Sequence, residues 1–358
     1  MKIRVVLADT DESYISHFMK AIKLFFANEI DLVAFSQPDS LQKYIDTNVF
    51  DVLLQAVTFP EVTIIRGMRI FLVNTKGIKK IEGTPALCKY QKVDHIYKDI
   101  LNILAEEKSD ITYSGSNDMR TKVIGFTAAA GGTGKTTVAL SYARMLASKG
   151  FSVLYLPLES FSPLNIYFHD EEDLTMSNVL FAVKCKKGNL QLKVESALRQ
   201  VYGGVYYLAP PKNPMEITEI NEGEWKELFD AVKNMGKFHA IVLDLPDLLN
   251  GVTRSILKNV WKLILVTDEK EVTIAKTQLM LDCYRQFDFA QKTDICGKMV
   301  MVQNRSRGPR REIGVPVICQ LPLITGFQTE IQLLDRMVNQ TIGPNLLAIY
   351  TPGGEEDV

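Results

Sequence analysis

With 358 residues, 46% of them hydrophobic and 23% charged, and a net charge of −1, the chain has the composition of a soluble globular protein with room for two domains. The near-neutral charge argues against a protein dedicated to nucleic acids, and no apolar run reaches the roughly 18 residues of a membrane span. Five scattered cysteines without a Cys-x-x-Cys pair favour a reducing, cytoplasmic compartment, and four histidines without ligand-like spacing argue against a histidine metal centre.

The first hundred residues alternate strand and helix patterns, which predicts an α/β domain with a small parallel sheet. The predicted strands are Ile3–Ala8, Ile30–Phe35, Val52–Gln55, Arg69–Val73 and Ala86–Tyr90. The predicted helices are Ser13–Phe26, Ser40–Thr47 and Asp94–Glu106. Polar residues 107–120 then predict a linker, so we expect one domain at 1–106 and a second at 121–358.

The second domain repeats the strand–helix alternation with longer apolar strands, which indicates a mainly parallel sheet buried on both faces. The predicted strands are Val123–Thr127, Val153–Leu158, Val205–Leu208, Ala240–Asp244, Leu263–Thr267, Lys298–Gln303 and Val317–Gln320. The predicted helices are Thr136–Lys149, Glu222–Asn234, Val272–Phe287 and Thr329–Asn339. Ligands of such sheets bind at the carboxyl ends of the strands.

A glycine-rich turn joins the first of these strands to the first helix, and it predicts a phosphate loop. The predicted phosphate-binding residues are Gly131, Gly132, Thr133, Gly134, Lys135, Thr136 and Thr137. Glycines let backbone N–H groups surround phosphate oxygens, and the helix N-terminus adds partial positive charge. Lys135 has the length to reach the outer phosphates, and the Thr136 hydroxyl is a candidate Mg²⁺ ligand. A glycine-rich turn without a ligand is the alternative interpretation.

Two acids at strand ends complete the predicted catalytic set. Asp244 closes an apolar strand, where a carboxylate holds Mg²⁺ through water in phosphoryl-transfer sites. Glu159 follows the strand after the first helix. This order of loop and acids resembles the MinD/ParA class of P-loop ATPases, which implies that Glu159 positions a water or touches Mg²⁺; a solvated loop acid is the alternative. We therefore expect Lys135, Glu159 and Asp244 to be catalytic, and Thr136 and Asp244 to hold the metal.

The order of phosphate loop, acidic strand end and Asp-x-Pro strand resembles the MinD/ParA class of P-loop ATPases. The resemblance implies ATP and Mg²⁺ as cofactors. It also implies a strand-end Asn that contacts adenine, which makes Asn304, with Arg305 beside it, a nucleotide-binding residue. The Arg-rich run after Asn304 is either a solvated loop or a surface for an anionic partner such as nonspecific DNA.

The chain departs from that class at three positions. Ala129 replaces the first loop glycine, Pro157 replaces the first acid of an Asp-x-Asp pair, and Ala130 replaces the signature lysine that reaches the partner's phosphates across a dimer. A cation lost beside the developing phosphate charge weakens transition-state stabilisation by several kcal/mol. We therefore expect nucleotide binding with slow hydrolysis or none.

The first domain resembles a response-regulator receiver, a flavodoxin-like fold. Asp9 and Asp11 follow the first strand like the acids of a receiver's Mg²⁺ pocket, and Lys89 keeps the place of the receiver lysine. Ala56 stands where the resemblance expects the phospho-accepting Asp, and an alanine cannot carry phosphate. We expect Asp9 and Asp11 to be residual strand-end acids, with a metal pocket as the alternative, and the domain to serve docking or dimerisation.

A degenerate receiver fused to a MinD/ParA-like ATPase resembles the TadZ/CpaE family of tight-adherence (Flp-type) pilus assembly. This resemblance implies a cytoplasmic bacterial homodimer at a cell pole. Its implied partners are pilus or secretion machinery, including a secretion ATPase, and a polar landmark. The acidic tail 351–358 predicts no direct membrane anchor there. The alternatives are a cycling ATPase for partitioning or division-site placement and a scaffold that binds no nucleotide.

Overall fold

A computed structural model describes residues 2–64, 66–107, 121–168, 174–186, 188–201, 204–246, 251–341 and 343–350. The chain divides into two compact units, Met1–Ser114 and Gly115–Val358. The predicted linker at 107–120 lies outside the described residues except for Glu107, which ends a helix, and the tail 351–358 lies outside them as well. Within the described ranges, no helix is both long and apolar enough to cross a membrane.

The first unit is a single sheet with helices on its faces. Its strands are β1 (Ile3–Ala8), β2 (Ile30–Phe35), β3 (Val52–Ala56), β4 (Met68–Val73), β5 (Lys80–Ile81) and β6 (Thr84–Cys88). Its helices are α1 (Glu12–Phe25), α2 (Pro38–Thr47) and α3 (Val93–Glu107). The strand order is β2-β1-β3-β4-β6-β5, parallel throughout except for the short antiparallel strand β5.

A loop takes the place of a helix on one face of this sheet. Between β3 and β4, Phe59 and Val62 are buried against Leu41 of α2 and Phe50. These apolar contacts keep water from the sheet without a regular element, because burial depends on apolar area and not on backbone form. The carboxyl ends of the parallel strands lie at one edge of this sheet, where Asp9 and Asp11 follow β1 and Lys89 follows β6.

The second unit is larger and is built on one sheet of eight strands. They are β7 (Lys122–Thr127), β8 (Val153–Pro157), β9 (Leu198–Gln200), β10 (Val205–Leu208), β11 (Ala240–Asp244), β12 (Lys262–Thr267), β13 (Met299–Ser306) and β14 (Val317–Pro322). The strand order is β14-β13-β12-β7-β11-β8-β10-β9, and only the β9–β10 pair is antiparallel. The predicted α/β class with mainly parallel sheets is confirmed.

Helices cover this larger sheet. They are α4 (Lys135–Ser148), α5 (Leu164–Tyr167), α6 (Met176–Cys185), α7 (Leu190–Ala197), α8 (Met215–Thr218), α9 (Glu222–Asn234), α10 (Gly251–Lys258), α11 (Glu271–Gln291), α12 (Glu330–Arg336) and α13 (Gly343–Tyr350). Helix α4 is apolar nearly all round, and Val138, Tyr142 and Leu146 are fully buried in the core. A helix buried in this way is fixed against the sheet, which in turn fixes the loop that precedes it.

Two sequence predictions are wrong in ways that affect the site. The predicted helix Thr329–Asn339 ends at Arg336, and Met337–Thr341 form a π-helical turn in which Met337 is buried against α4. The predicted strand Lys298–Gln303 continues to Ser306, because its last residue pairs with Pro322 across a register shift. Asn304 and Arg305 therefore lie inside a strand and not in the loop after it.

Candidate functional site

The glycine-rich turn of the second unit closes around the end of β13. Gly134 is the N-cap of α4 with a φ of 87°, a left-handed conformation that favours glycine. A Cβ at Gly134 would lie 2.4 Å from Nδ2 of Asn304, so no other residue fits there without displacing Asn304. Gly132 also has a positive φ of 76°. The loop thus needs glycine at these two positions for conformation and, at Gly134, for space.

The side chains of Asn304 and Arg305 donate hydrogen bonds to main-chain carbonyls of this loop. Asn304 donates from Nδ2 to the carbonyl of Thr133 at 2.8 Å, and Arg305 donates from Nη1 to the carbonyl of Gly132 at 2.9 Å. Arg305 has a φ of 55°, which is uncommon for a residue with a side chain. The structure therefore brings both predicted residues to the phosphate loop, where they hold main-chain carbonyls.

Lys135 lies at the start of α4 and points into the sheet edge. Its ammonium contacts Glu159, the main-chain oxygen of Leu245, and Asp244, whose Oδ1 is 3.1 Å away. Lys135 is only 6% exposed and Asp244 2%, so the ion pair is largely shielded from water. The structure therefore unites the three predicted catalytic residues, Lys135, Glu159 and Asp244, in one cluster.

Asp244 is the centre of this cluster because it ends β11 next to the loop. Its Oδ2 accepts hydrogen bonds from Thr136 at 2.6 Å and from Tyr155 at 2.9 Å. Its buried Oδ1 makes no hydrogen bond, although it faces the ammonium of Lys135. An oxygen that is paired with an ammonium still has lone pairs for a further donor such as metal-bound water.

Two tyrosines near the loop were missed by sequence reasoning. Burial, together with the charge of Asp244, raises the pKa of Tyr155 well above its ordinary value, so its hydroxyl stays protonated and donates. The hydroxyl of Tyr167 lies 3.2 Å from that of Thr137, and burial raises its pKa too. Both side chains approach the site from segments distant in sequence, and no local motif marks them.

A cleft of about 160 Å³ opens beside the loop. It is lined by Gly134, Thr137, Asn304, Arg305, Pro322, Leu323, Ile324, Phe327, Leu333 and Met337. A cavity of about 150 Å³ is large enough for one aromatic ring. Most of the lining is apolar, with the polar groups at the loop end, which is the usual character of a small-molecule pocket.

Glu269 holds the start of the Arg-rich run, residues 305–311. Glu269 accepts from the Ser306 hydroxyl and from the backbone N–H groups of Arg307 and Gly308, at 2.9 Å and 2.8 Å for the amides. These hydrogen bonds lower the pKa of Glu269. Arg307 stays exposed, and the hydrogen bonds that the Glu269 carboxylate accepts fix the start of this run rather than leaving it a free loop.

The sheet edge of the first unit holds a second buried lysine. Lys89 Nζ lies 2.6 Å from Oδ2 of Asp9 and 3.7 Å from Asp11, and it sits 4.3 Å from the centre of the Tyr14 ring. Asp11 caps α1 by accepting the Tyr14 N–H, a hydrogen bond that lowers the pKa of Asp11. The structure thus gives Asp9 and Asp11 structural partners, and Ala56 is buried at the end of β3.

Metal-binding clusters are lacking in what the structure describes: no group of three or more His, Cys, Asp or Glu side chains is arranged to hold an ion. Around Asp244, Thr136 adds a hydroxyl, and Glu159 is engaged with Lys135. Mg²⁺ commonly takes one or two protein oxygens and completes its shell with phosphate and water. The donor set of one hydroxyl and one carboxylate fits that pattern.

Comparison with known proteins identifies both units. The family model described as "TadZ-like, receiver domain" matches residues 1–105, and a model described as "AAA domain" matches residues 121–295. No curated protein matches the sequence. Residues 1–105 therefore form a TadZ-like receiver domain, and residues 121–295 form an AAA domain.

Solved structures resemble the second unit at low sequence identity. A ParA family ATPase from Chlorobium tepidum TLS is 16% identical over 66% of this chain and 94% of its own, with a TM-score of 0.50. A putative plasmid partition protein from Borrelia burgdorferi B31, bound to AMPPNP, is 17% identical over 65% and 99%, with a TM-score of 0.48. A septum site-determining protein MinD from Pyrococcus horikoshii OT3, complexed with Mg-ADP, is 21% identical over 57% and 82%, with a TM-score of 0.44. At these identities the likeness to the first structure shows the shared fold alone.

Proposed function

We propose that this chain, which joins a TadZ-like receiver domain to a nucleotide-binding domain of the ParA/MinD type, is an ATP-binding localisation and assembly factor for a tight-adherence (Flp-type) pilus or secretion system. It acts as a nucleotide-dependent homodimer at a cell pole, with slow hydrolysis or none. Its partners are the pilus or secretion machinery, including a secretion ATPase, and a polar landmark. The domain bounds that we propose are 1–106, 107–120 and 121–358.

The observation that carries ATP binding is the gathering of Lys135, Thr136 and Asp244 at one strand edge beside a glycine loop. When ATP·Mg²⁺ is bound, Lys135 holds the outer phosphates, Thr136 ligates the metal, and Asp244 holds it through water. The bound metal neutralises charge that develops on the phosphates. The ion pair between Asp244 Oδ1 and Lys135 and the space reserved at Gly134 favour this assignment.

The adenine is proposed to lie in the cleft beside Asn304. That cleft is of ring size, has apolar walls from Pro322 and Ile324, and ends at the phosphate loop. Asn304 has an amide that both donates and accepts, which suits the adenine edge. Because its Nδ2 already donates to Thr133, Asn304 has to share or exchange this bond to contact the base.

Slow hydrolysis follows from three departures at the site. Ala130 has no charge to offer to phosphates, Ala129 removes a loop glycine, and Pro157 lacks a carboxylate beside Asp244. Glu159, the remaining acid, is paired with Lys135. The site therefore favours a dimer that is held together by bound nucleotide over an enzyme with fast turnover. The alternative function is a cycling partition ATPase.

The receiver-like domain is proposed to serve docking or dimerisation. Ala56 occupies the acceptor position, and Lys89 is already neutralised by Asp9. Without an acceptor aspartate, phosphorylation cannot switch this domain. Its proposed role is therefore to bind another protein or a second copy of the chain through its surface. The match to the TadZ-like receiver model is the observation that supports a pilus role over other uses of the ATPase fold.

Localisation and assembly are tested together. A fluorescent fusion of the full chain in its native host should form polar foci, and deletion of residues 1–106 or the variant Lys135→Ala should disperse them. Light scattering should give a dimer at micromolar protein with ATP and Mg²⁺, and a smaller species for Lys135→Ala. Diffuse fluorescence together with a strictly monomeric ATP-loaded protein would remove the basis for this role. Turnover stimulated strongly by dimerisation would favour the cycling ATPase instead.

A further inference from the structure

Tyr155 is a buried residue at the centre of the site whose hydroxyl has no place in the proposed chemistry so far. It lies in β8 and pairs in register with Val242 of β11, two residues before Asp244. Its side chain and that of Asp244 therefore stand on the same face of the sheet, in diagonal positions on neighbouring strands. Tyr155 is 0% exposed, and its hydroxyl donates to Oδ2 of Asp244 at 2.9 Å.

The contacts of Asp244 fall into two kinds. Thr136 and Lys135 belong to the phosphate loop and its helix, and in the proposed function both turn to the nucleotide or its metal. Tyr155 belongs to a central strand and has no such second task. We propose that Tyr155 is a positioning residue that holds the Asp244 carboxylate in place for Mg²⁺ when ATP is bound; this inference rests on the proposed function.

The two oxygens of the Asp244 carboxylate have different partners, which supports this role. Tyr155 binds Oδ2, whereas the buried Oδ1 faces the Lys135 ammonium, 3.1 Å away, a group that turns to the phosphates in the proposed function. A fixed donor on one oxygen sets the rotation of the carboxylate and leaves the other oxygen for the water of the metal. Pro157 pairs directly with Asp244 and offers no side-chain polar group. Tyr155, one same-face position earlier, supplies a neutral hydrogen bond there.

The chain contains a matched control. Tyr142 of α4 is also 0% exposed and packs in the same core, but its hydroxyl makes no hydrogen bond to any residue that the structure describes. Tyr142→Phe and Tyr155→Phe remove the same atom from equally buried rings. An effect that comes from removing a buried hydroxyl oxygen as such should appear in both variants, whereas an effect of losing the hydrogen bond to Asp244, on metal binding, should appear only in Tyr155→Phe.

The test is calorimetric titration of full-length wild type, Tyr155→Phe and Tyr142→Phe with ATP, in excess Mg²⁺ and in EDTA, with thermal unfolding as a check of folding. We expect Tyr155→Phe to match wild type within about twofold in EDTA. Its gain in affinity from Mg²⁺ should fall about tenfold, and Tyr142→Phe should behave as wild type.

Two outcomes overturn the inference in distinguishable ways. If Tyr155→Phe keeps the full Mg²⁺ gain of wild type, the inference fails while the proposed function stands. If wild type binds ATP no better with Mg²⁺ than in EDTA, both fail. Should Tyr155→Phe not fold, a crystal structure of the wild-type chain with ATP and Mg²⁺ gives the second reading. Tyr155 Oη within hydrogen-bond distance of Asp244 supports the inference, and separation of the two contradicts it.

Discussion

The two sheet edges of this protein hold a buried lysine beside a strand-end aspartate, yet they differ in what surrounds the pair. Lys89 and Asp9 in the first unit are 6% and 1% exposed, and Lys135 and Asp244 in the second are 6% and 2% exposed. Lys89 is covered by the rings of Tyr14 and Tyr90, 4.3 Å and 5.5 Å from their centres. Burial and charge therefore do not by themselves make a ligand site.

Lys135 has a different environment from Lys89. Its ammonium contacts oxygens of Glu159, Asp244 and a main-chain carbonyl, at the mouth of a glycine loop. Oxygen partners can be exchanged for phosphate oxygens of the same chemistry, whereas cation–π contacts and a single close carboxylate fix Lys89 as a structural ion pair. We therefore propose that the first pair is structural and that the second serves a ligand.

The largest expected effect tests the structural role of Lys89. Lys89→Met leaves Asp9 buried without its cation, which should lower the free energy of unfolding of the first unit by about 3–5 kcal/mol. Chemical denaturation of the full chain measures this. The double variant Asp9→Leu/Lys89→Met should recover most of the loss, and Lys43→Met on the exposed face of α2 is the control. A loss within the error of that control would contradict the structural role.

A second variant adds a cation to the predicted phosphate loop of the second unit. Ala130→Lys restores the residue that the MinD/ParA class uses against developing phosphate charge, so turnover should rise tenfold or more, about 1.4 kcal/mol of barrier. Steady-state phosphate release by both forms is the measurement. Brisk wild-type turnover, on the order of 1–10 per second, would show that another group already fills this role.

In the first unit we expect no phosphorylation. Acetyl phosphate should leave residues 1–106 unmodified, because Ala56 holds the acceptor position and the neighbouring Gln55 and Thr58 cannot form an acyl phosphate. Intact-mass spectrometry with peptide mapping decides this. A stoichiometric aspartyl phosphate in the first unit would make its lysine–aspartate pair a working site and remove the contrast.

Much of the fold was predictable because its signals are local. The bounds of β1, β2, β10, β11 and α9 match the sequence predictions, since each is marked by an apolar run or a cap within a few residues. The predictions missed β5, β9, α5, α6, α7, α8, α10 and α13. Four of these have only two to four residues, too few to show a hydrophobic period.

The site was predictable as a set of residues but not as a set of contacts. The phosphate loop, Glu159 and Asp244 follow from strand ends, whose meeting at one edge is a rule of parallel sheets. Tyr155 was not predictable, because its partner lies 89 positions away and its strand pattern marks it only as core. The extension of β13 through Arg305 depends on pairing with β14, which no local pattern reports.

Calorimetric titration with ATP and Mg²⁺ decides whether Lys135 binds ATP. Lys135→Ala should bind ATP at least tenfold more weakly than wild type, about 1.4 kcal/mol. Lys149→Ala, at the exposed C-terminal end of the same helix, should bind as wild type. Equal affinities for wild type and Lys135→Ala, with both variants folded, would contradict the claim.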